Sequence, residues 1–171
     1  MTWQHQINMV ETESEIHVSS NVFNFSFSKK AGTIANWSVG DVDLIKTCKE
    51  AIEGMKPETR LVSWNTETTK RIAGPRVNVF RAPVDNDYIF GSGPGPIWQD
   101  MQLYNLQNEV VELKAKQLDE YSVAIDVKLV SKAKTGFEVR SEVHYIIKGN
   151  GEIDVNVSFH PQNVEWQLAK L

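Results

Sequence analysis

Arg81-Ala-Pro-Val-Asp-Asn-Asp87 crowds two carboxylates, an amide and a guanidinium into seven residues, and runs directly into Tyr88-Ile-Phe-Gly-Ser-Gly-Pro-Gly-Pro-Ile-Trp98. In an extended segment Asp85 and Asp87 would lie on one face about 7 Å apart at ~3.3 Å rise per residue. That falls inside the roughly 6.5 to 9.5 Å window of inverting glycosidase carboxylates. The competing reading is stronger. Asp-Asn-Asp after Ala-Pro suits a tight turn, because Asx side chains bond nearby backbone and tolerate unusual dihedrals. Acid/base pairs usually come from different elements, whose environments push their pKa values apart.

Other chemistries fit less well. A calcium loop starting at Asp85 would need glycine at its sixth position and glutamate at its twelfth, where the chain has Phe90 and Pro96; a looser cation site from Asp85, Asp87 and carbonyl oxygens is a weak alternative. Gly91-Ser92-Gly93-Pro94-Gly95-Pro96 suggests a phosphate cradle, but two of its residues lack the N–H such cradles use. No Gly-Lys-Ser/Thr follows. Tyr88 to Ile97 reads as a mobile surface loop, glycines allowing positive φ and prolines limiting its states. These residues alone do not separate a functional loop from a tolerated one. His5, His17, His144 and His160 form no HxxxH or HExxH spacing. Five tryptophans could include a sugar-stacking platform, with core packing the default for most. Three Asn-x-Ser acceptor patterns, at Asn24, Asn36 and Asn156, fall in expected strands and read as chance.

The elements that would position this motif are strands. Phe23, Phe25 and Phe27 alternate with Asn24, Ser26 and Ser28, as a strand with one buried face requires. Lys29 to Gly32 then supplies a turn, Thr33 to Val39 a return strand, Gly40-Asp41 a second turn and Val42 to Ile45 a third strand, a three-stranded meander. Longer strands are expected at 110–117, 121–131, 137–148 and 153–160, with Asn150-Gly151 the strongest hairpin signal. Short connections and no βαβ rhythm argue for an antiparallel sandwich or barrel. One short helix is expected from Pro96, with Ile97, Met101 and Tyr104 on its inner face. Residues 46–75 read as a loop-rich insertion.

Composition closes off several classes. The 171 residues suffice for one domain with a real core. A net charge of −4 spread over 18 basic and 22 acidic residues offers no nucleic-acid stripe or polybasic membrane patch. No apolar run reaches the ~20 residues of a membrane helix, so the chain reads as soluble, with its compartment, periplasmic or cytoplasmic, left open. The single cysteine, Cys48, provides no disulfide framework or CxxC motif.

The seven residues 81–87, preceded by Asn78-Val79-Phe80, closely resemble the R-A-P-x-D-N-D signature of the large bacterial β-galactosidases of glycoside hydrolase family 2. Phe25-Ser-Phe-Ser-Lys-Lys-Ala-Gly-Thr-Ile-Ala-Asn-Trp37 resembles the opening hairpin of their C-terminal domain, and 121–160 its long antiparallel strands. The resemblance implies an all-β, antiparallel β-supersandwich of the galactose-mutarotase type, with residues 1–171 forming the first half of that domain. It implies a non-catalytic role beside a β-galactoside site, because the family's catalytic glutamates and its Mg and Na ligands belong to a separate barrel domain. Residues of the active-site-adjacent motif and loop would be Arg81, Asp85, Asn86, Asp87, Tyr88, Gly91, Ser92, Gly93 and Trp98, with no catalytic residue, metal or cofactor in the chain. Expected partners are the barrel domain and, through an exposed apolar face or sheet edge, a second copy; nucleic acid and membrane are not expected. A free-standing carbohydrate-binding or mutarotase-like module is the alternative.

Overall fold

The computed structural model describes residues 5–45, 74–91 and 93–162. The expected insertion at 46–75 lies outside them except for Gly74 and Pro75, as do Cys48 and Ser92. The chain divides into two compact units, one of Met1–Pro75, Ala115–Ala124 and Ile146–Asp154, the other of Arg76–Lys114, Ile125–Tyr145 and Val155–Leu171. The all-β antiparallel class holds: the described residues contain two antiparallel sheets and one short α-helix.

The first unit contains a five-stranded sheet in sequence order, β1 (Asn8–Glu11), β2 (Glu15–Ser19), β3 (Phe23–Ser28), β4 (Thr33–Val39) and β5 (Val42–Ile45). The meander over 23–45 is therefore correct but incomplete, since two strands precede it. Ile16 and Val18 of β2 are fully buried beside Phe25 and Phe27. Two apolar residues in Glu15-Ile-His-Val-Ser19 are a thin period-two signal, and the turn before them carries its information in Thr12, whose Oγ1 both donates to Glu15 O and accepts from Glu15 N–H.

Phe23, Phe25 and Phe27 all face the core, as their alternation requires. Ser26 and Ser28, expected on the wet face, are buried as well. The pairing of β3 with β4 shifts register between Ser26 and Phe27, and Ser28 Oγ accepts the Ala31 N–H of the following turn. Gly32 and Gly40 turn the chain with positive φ, 63° and 54°, where an L side chain is strained.

The second sheet has the order β6 (Gln107–Asp119), β7 (Ser122–Lys132), β8 (Glu138–Lys148) and β9 (Ile153–Gln162). Each of its strands contributes residues to both units. Burial alternates strictly along β8, where Val139, Ser141, Val143, Tyr145 and Ile147 point inward. The Asn150-Gly151 hairpin forms as its sequence demands, with Gly151 at φ 89° and Lys148 N–H donating to Glu152 O.

The second unit has its own apolar cluster: Val79, Trp98, Met101, Leu103, Leu106, Phe137 and Val139. Its helix, α1 (Pro94–Asp100), begins two residues earlier than expected, with a proline in its first turn. Trp98 and Met101 are buried, Ile97 is half-buried and Tyr104 is 41% exposed. Tyr104 leaves the expected face because Gln102 adopts a left-handed conformation, φ 54°, and the chain re-enters a 3-10 turn at Leu103–Asn105. The helical phase is broken there.

The core assignment is testable by denaturant unfolding. Phe27→Ala should cost about 3–5 kcal/mol, whereas Val42→Ala, at a 60% exposed position, should stay within about 0.5 kcal/mol. Equal losses would place the aromatic face of β3 in solvent.

Candidate functional site

Pro83 fixes φ, and Asp85–Gly91 forms a 3-10 helix rather than an extended segment or an open loop. With about three residues per turn, side chains two apart point some 240° from one another. Asp85 and Asp87 therefore cannot face one bond as an extended pair would. Asp85 and Asn86 are exposed, and Asp87 is buried at 6%.

Asp87 is fully engaged. Arg81 donates to both of its oxygens, Nη1 to Oδ2 at 2.6 Å and Nη2 to Oδ1 at 2.8 Å, the bidentate geometry in which guanidinium and carboxylate bind most strongly. Val84 N–H donates to Oδ2 at 2.7 Å, and Asp87 N–H returns a bond to Val84 O at 2.8 Å. The Arg81 guanidinium, followed by the Val84 amide, holds the Asp87 carboxyl below its ordinary value of 3.8. Arg81 is itself raised, its bond to Asp87 being the main cause. The turn is thus a closed circuit of four bonds, three of them charge-assisted.

The guanidinium also lies over the Trp98 ring, 5.2 Å from its centroid, within cation–π range. Trp98 is only 3% exposed and belongs to the core cluster. It anchors the motif instead of offering a free stacking surface.

The glycines work by contact. Gly93 has φ −70°, so its conformation is open to any residue. A Cβ there would sit 1.9 Å from the Asp87 carbonyl oxygen. Gly95 packs under the Tyr88 ring, where a Cβ would be 3.2 Å from two ring carbons. Tyr88 Oη accepts a 2.7 Å bond from Gln99 Nε2. The mobile loop expected over 88–97 is corrected accordingly: the 3-10 helix reaches Gly91, α1 starts at Pro94, and Gly93 is pressed onto the carbonyl of Asp87.

Of the nine residues singled out in sequence, Arg81, Asp87, Tyr88, Gly93 and Trp98 come together in one packed turn. Asp85 and Asn86 stand at its exposed rim. Gly91 closes the 3-10 helix, and Ser92 lies outside the described residues. Gln99 and Gly95 were missed. Gln99 meets Tyr88 only after the chain folds back, so no short-range pattern marks it, and the contacts that keep Gly95 small likewise form only in the folded turn.

Elsewhere in the second unit, His144 Nδ1 lies 2.5 Å from Asp126 Oδ1. This is a histidine–carboxylate pairing that the sequence did not reveal. Both side chains are about half exposed. A separate depression of about 370 Å³, lined by Lys128, Arg140, Glu142 and His160 among others, includes neither His144 nor Asp126. Among the described residues no three His, Cys, Asp or Glu side chains are grouped to hold a metal ion, and no helix is long and apolar enough to cross a membrane.

The model of one protein family, described as the beta galactosidase small chain, matches residues 54–171. No curated protein matches the chain.

Two outcomes follow from the geometry. Gly93→Ala should destabilise the chain more than Gly40→Ala, which carries only the left-handed penalty of about 1–2 kcal/mol and meets nothing within 4 Å. Faster amide exchange at 85–91 in Gly93→Ala alone would locate the damage, and equal melting points for the two variants would refute it. Asp87→Asn tests the circuit against pH. Because the folded carboxyl titrates below 3.8, its contribution is complete above the unfolded value and disappears as pH falls through the folded one. The melting-point advantage of the wild type over Asp87→Asn should hold at neutral pH and shrink below about pH 4; a gap that widens on acidification has the wrong sign.

Proposed function

The chain belongs to the beta galactosidase small chain family, and from that premise we propose that it is a non-catalytic component of an enzyme that hydrolyses terminal β-D-galactosides. Its part is to shape the sugar site with the segment from Arg81 to Trp98. The paired carboxyls of a retaining hydrolase, about 5–5.5 Å apart, come in this reading from a barrel domain of the parent enzyme. The family's Mg and Na ions belong with that domain.

One observation carries the proposal. Asp87 has both oxygens occupied and a pKa held below the ordinary carboxylate range. A general acid needs the opposite, a carboxyl raised far enough to retain its proton near neutral pH. An attacking carboxylate needs a free oxygen. Asp87 is suited to neither task and well suited to being a strut. What the strut holds outward is Asp85, Asn86 and the half-exposed ring of Tyr88, polar and aromatic groups of the kind that meet sugar hydroxyls and sugar faces.

The test uses the chain combined with the rest of its enzyme. Arg81→Lys keeps the charge but loses the two-pronged bond, and should lower kcat/KM on a nitrophenyl β-galactoside by up to about 10²-fold, the effect of an ångström-scale misplacement. Asp85→Asn, outside the circuit, should leave the melting point unchanged while altering KM. Hydrolysis by the chain alone, or full activity of Arg81→Lys in the assembled enzyme, defeats the proposal. Saturable galactose binding by the chain alone, followed by tryptophan fluorescence, would favour a free-standing sugar-binding module instead.

A further inference from the structure

Asp85–Gly91 is a 3-10 helix, and at about three residues per turn its side chains at i and i+3 eclipse one another. Asp85 and Tyr88 therefore stand on one face of it. Burial follows that phase: Asp85 and Tyr88 are exposed, while Asp87 between them is turned into the packed turn at 6% exposure. The outer face of the helix thus sets a carboxylate beside a phenol.

The phenol is held at two points. Its ring lies over Gly95, where a Cβ would come within 3.2 Å of two ring carbons, one of them the carbon that bears the hydroxyl. Its Oη accepts a 2.7 Å bond from Nε2 of Gln99, eleven residues further along the chain in α1. The ring is therefore fixed to the helix as well as to its own turn. It still remains 40% exposed.

The direction of the Gln99 bond decides what Tyr88 can do. A carboxamide nitrogen only donates, so the phenol oxygen uses a lone pair there and keeps its own proton. Among the described residues no protein group accepts that proton. Gln99 occupies one side of Oη, which leaves the O–H to point elsewhere. On the same face Asp85, a carboxylate, only accepts. A donor and an acceptor side by side are what two neighbouring sugar hydroxyls satisfy together, because each hydroxyl can both donate and accept.

We infer that Tyr88 is the specificity-determining contact of this segment: its hydroxyl donates to an oxygen of the galactosyl unit, and Gln99 is the positioning residue that keeps the proton turned outward. This rests on the sugar-site role proposed above and adds which group makes the bond and in which direction. A bond to a sugar oxygen remote from the cleaved linkage is made equally in the ground state and the transition state. Its loss raises KM and leaves kcat alone.

Steady-state kinetics of the assembled enzyme on a nitrophenyl β-galactoside test it. Tyr88→Phe should raise KM about 3- to 10-fold, the worth of one neutral hydrogen bond, with kcat unchanged. Gln99→Glu keeps the side-chain length but replaces the donor by an acceptor, which draws the Tyr88 proton inward. It should raise KM at least as far, without moving the melting point. On the Tyr88→Phe background Gln99→Glu should add nothing, since Gln99 acts through the hydroxyl alone. A purely structural role for Gln99 would not respond in this way to reversal of a single bond. Arg81→Lys separates the two levels of the argument. Full activity in that variant defeats the sugar-site reading, and this inference with it. Reduced activity of Arg81→Lys combined with a wild-type KM in Tyr88→Phe or Gln99→Glu, or with additive effects in the double variant, overturns the inference alone.

Discussion

The bond between Arg81 and Asp87 is the constraint on which the second unit's organisation turns. Four donor–acceptor contacts tie the Asp87 carboxylate and amide to Arg81 and Val84. Once they form, the carbonyl of Asp87 is fixed, and that carbonyl is the surface against which Gly93 lies. Gly93 immediately precedes α1, so its placement sets where the helix begins. The helix in turn carries Trp98 into the core and beneath the guanidinium that started the chain of contacts. A charged residue and a tryptophan thus hold each other in place through an intervening glycine.

This arrangement separates two uses of acidic residues that look alike in sequence. Asp85 and Asp87 differ only in position, yet one is exposed and the other is almost enclosed. A buried carboxylate is tolerated because a cation and an amide replace the water it loses. Its value is geometric: a bidentate pair restricts angle as well as distance. The side chain with the richest chemistry on paper is the one least able to perform any.

The sheets were legible because period-two alternation is a local property. Phe23, Phe25 and Phe27, or the alternation along β8, state their facing directly, and Gly32, Gly40 and Gly151 mark the turns between strands. β1 and β2 escaped because two apolar residues in a five-residue strand barely rise above chance. The site was half legible. Arg81 and Asp87 stood out as residue types, but the bond between them requires the chain to reverse, which depends on Pro83 and the 3-10 helix together. The glycines were read for the wrong property, dihedral freedom, when the governing one is the absence of a Cβ. No pattern in sequence distinguishes those uses, since the neighbour that forbids the Cβ at Gly93 is the backbone of Asp87, six residues away.

The same reasoning sets the motif apart from β9. The motif is saturated at its centre: the Asp87 carboxylate is matched by donors, Gly93 and Gly95 are in contact and Trp98 is buried. In the proposed role, holding Asp85 and Asn86 in fixed positions benefits from saturation, because every internal contact removes a way for the rim to move. The two regions thus differ in kind: the contacts within Arg81–Trp98 close on one another, whereas β9 alternates apolar side chains that stay about half exposed.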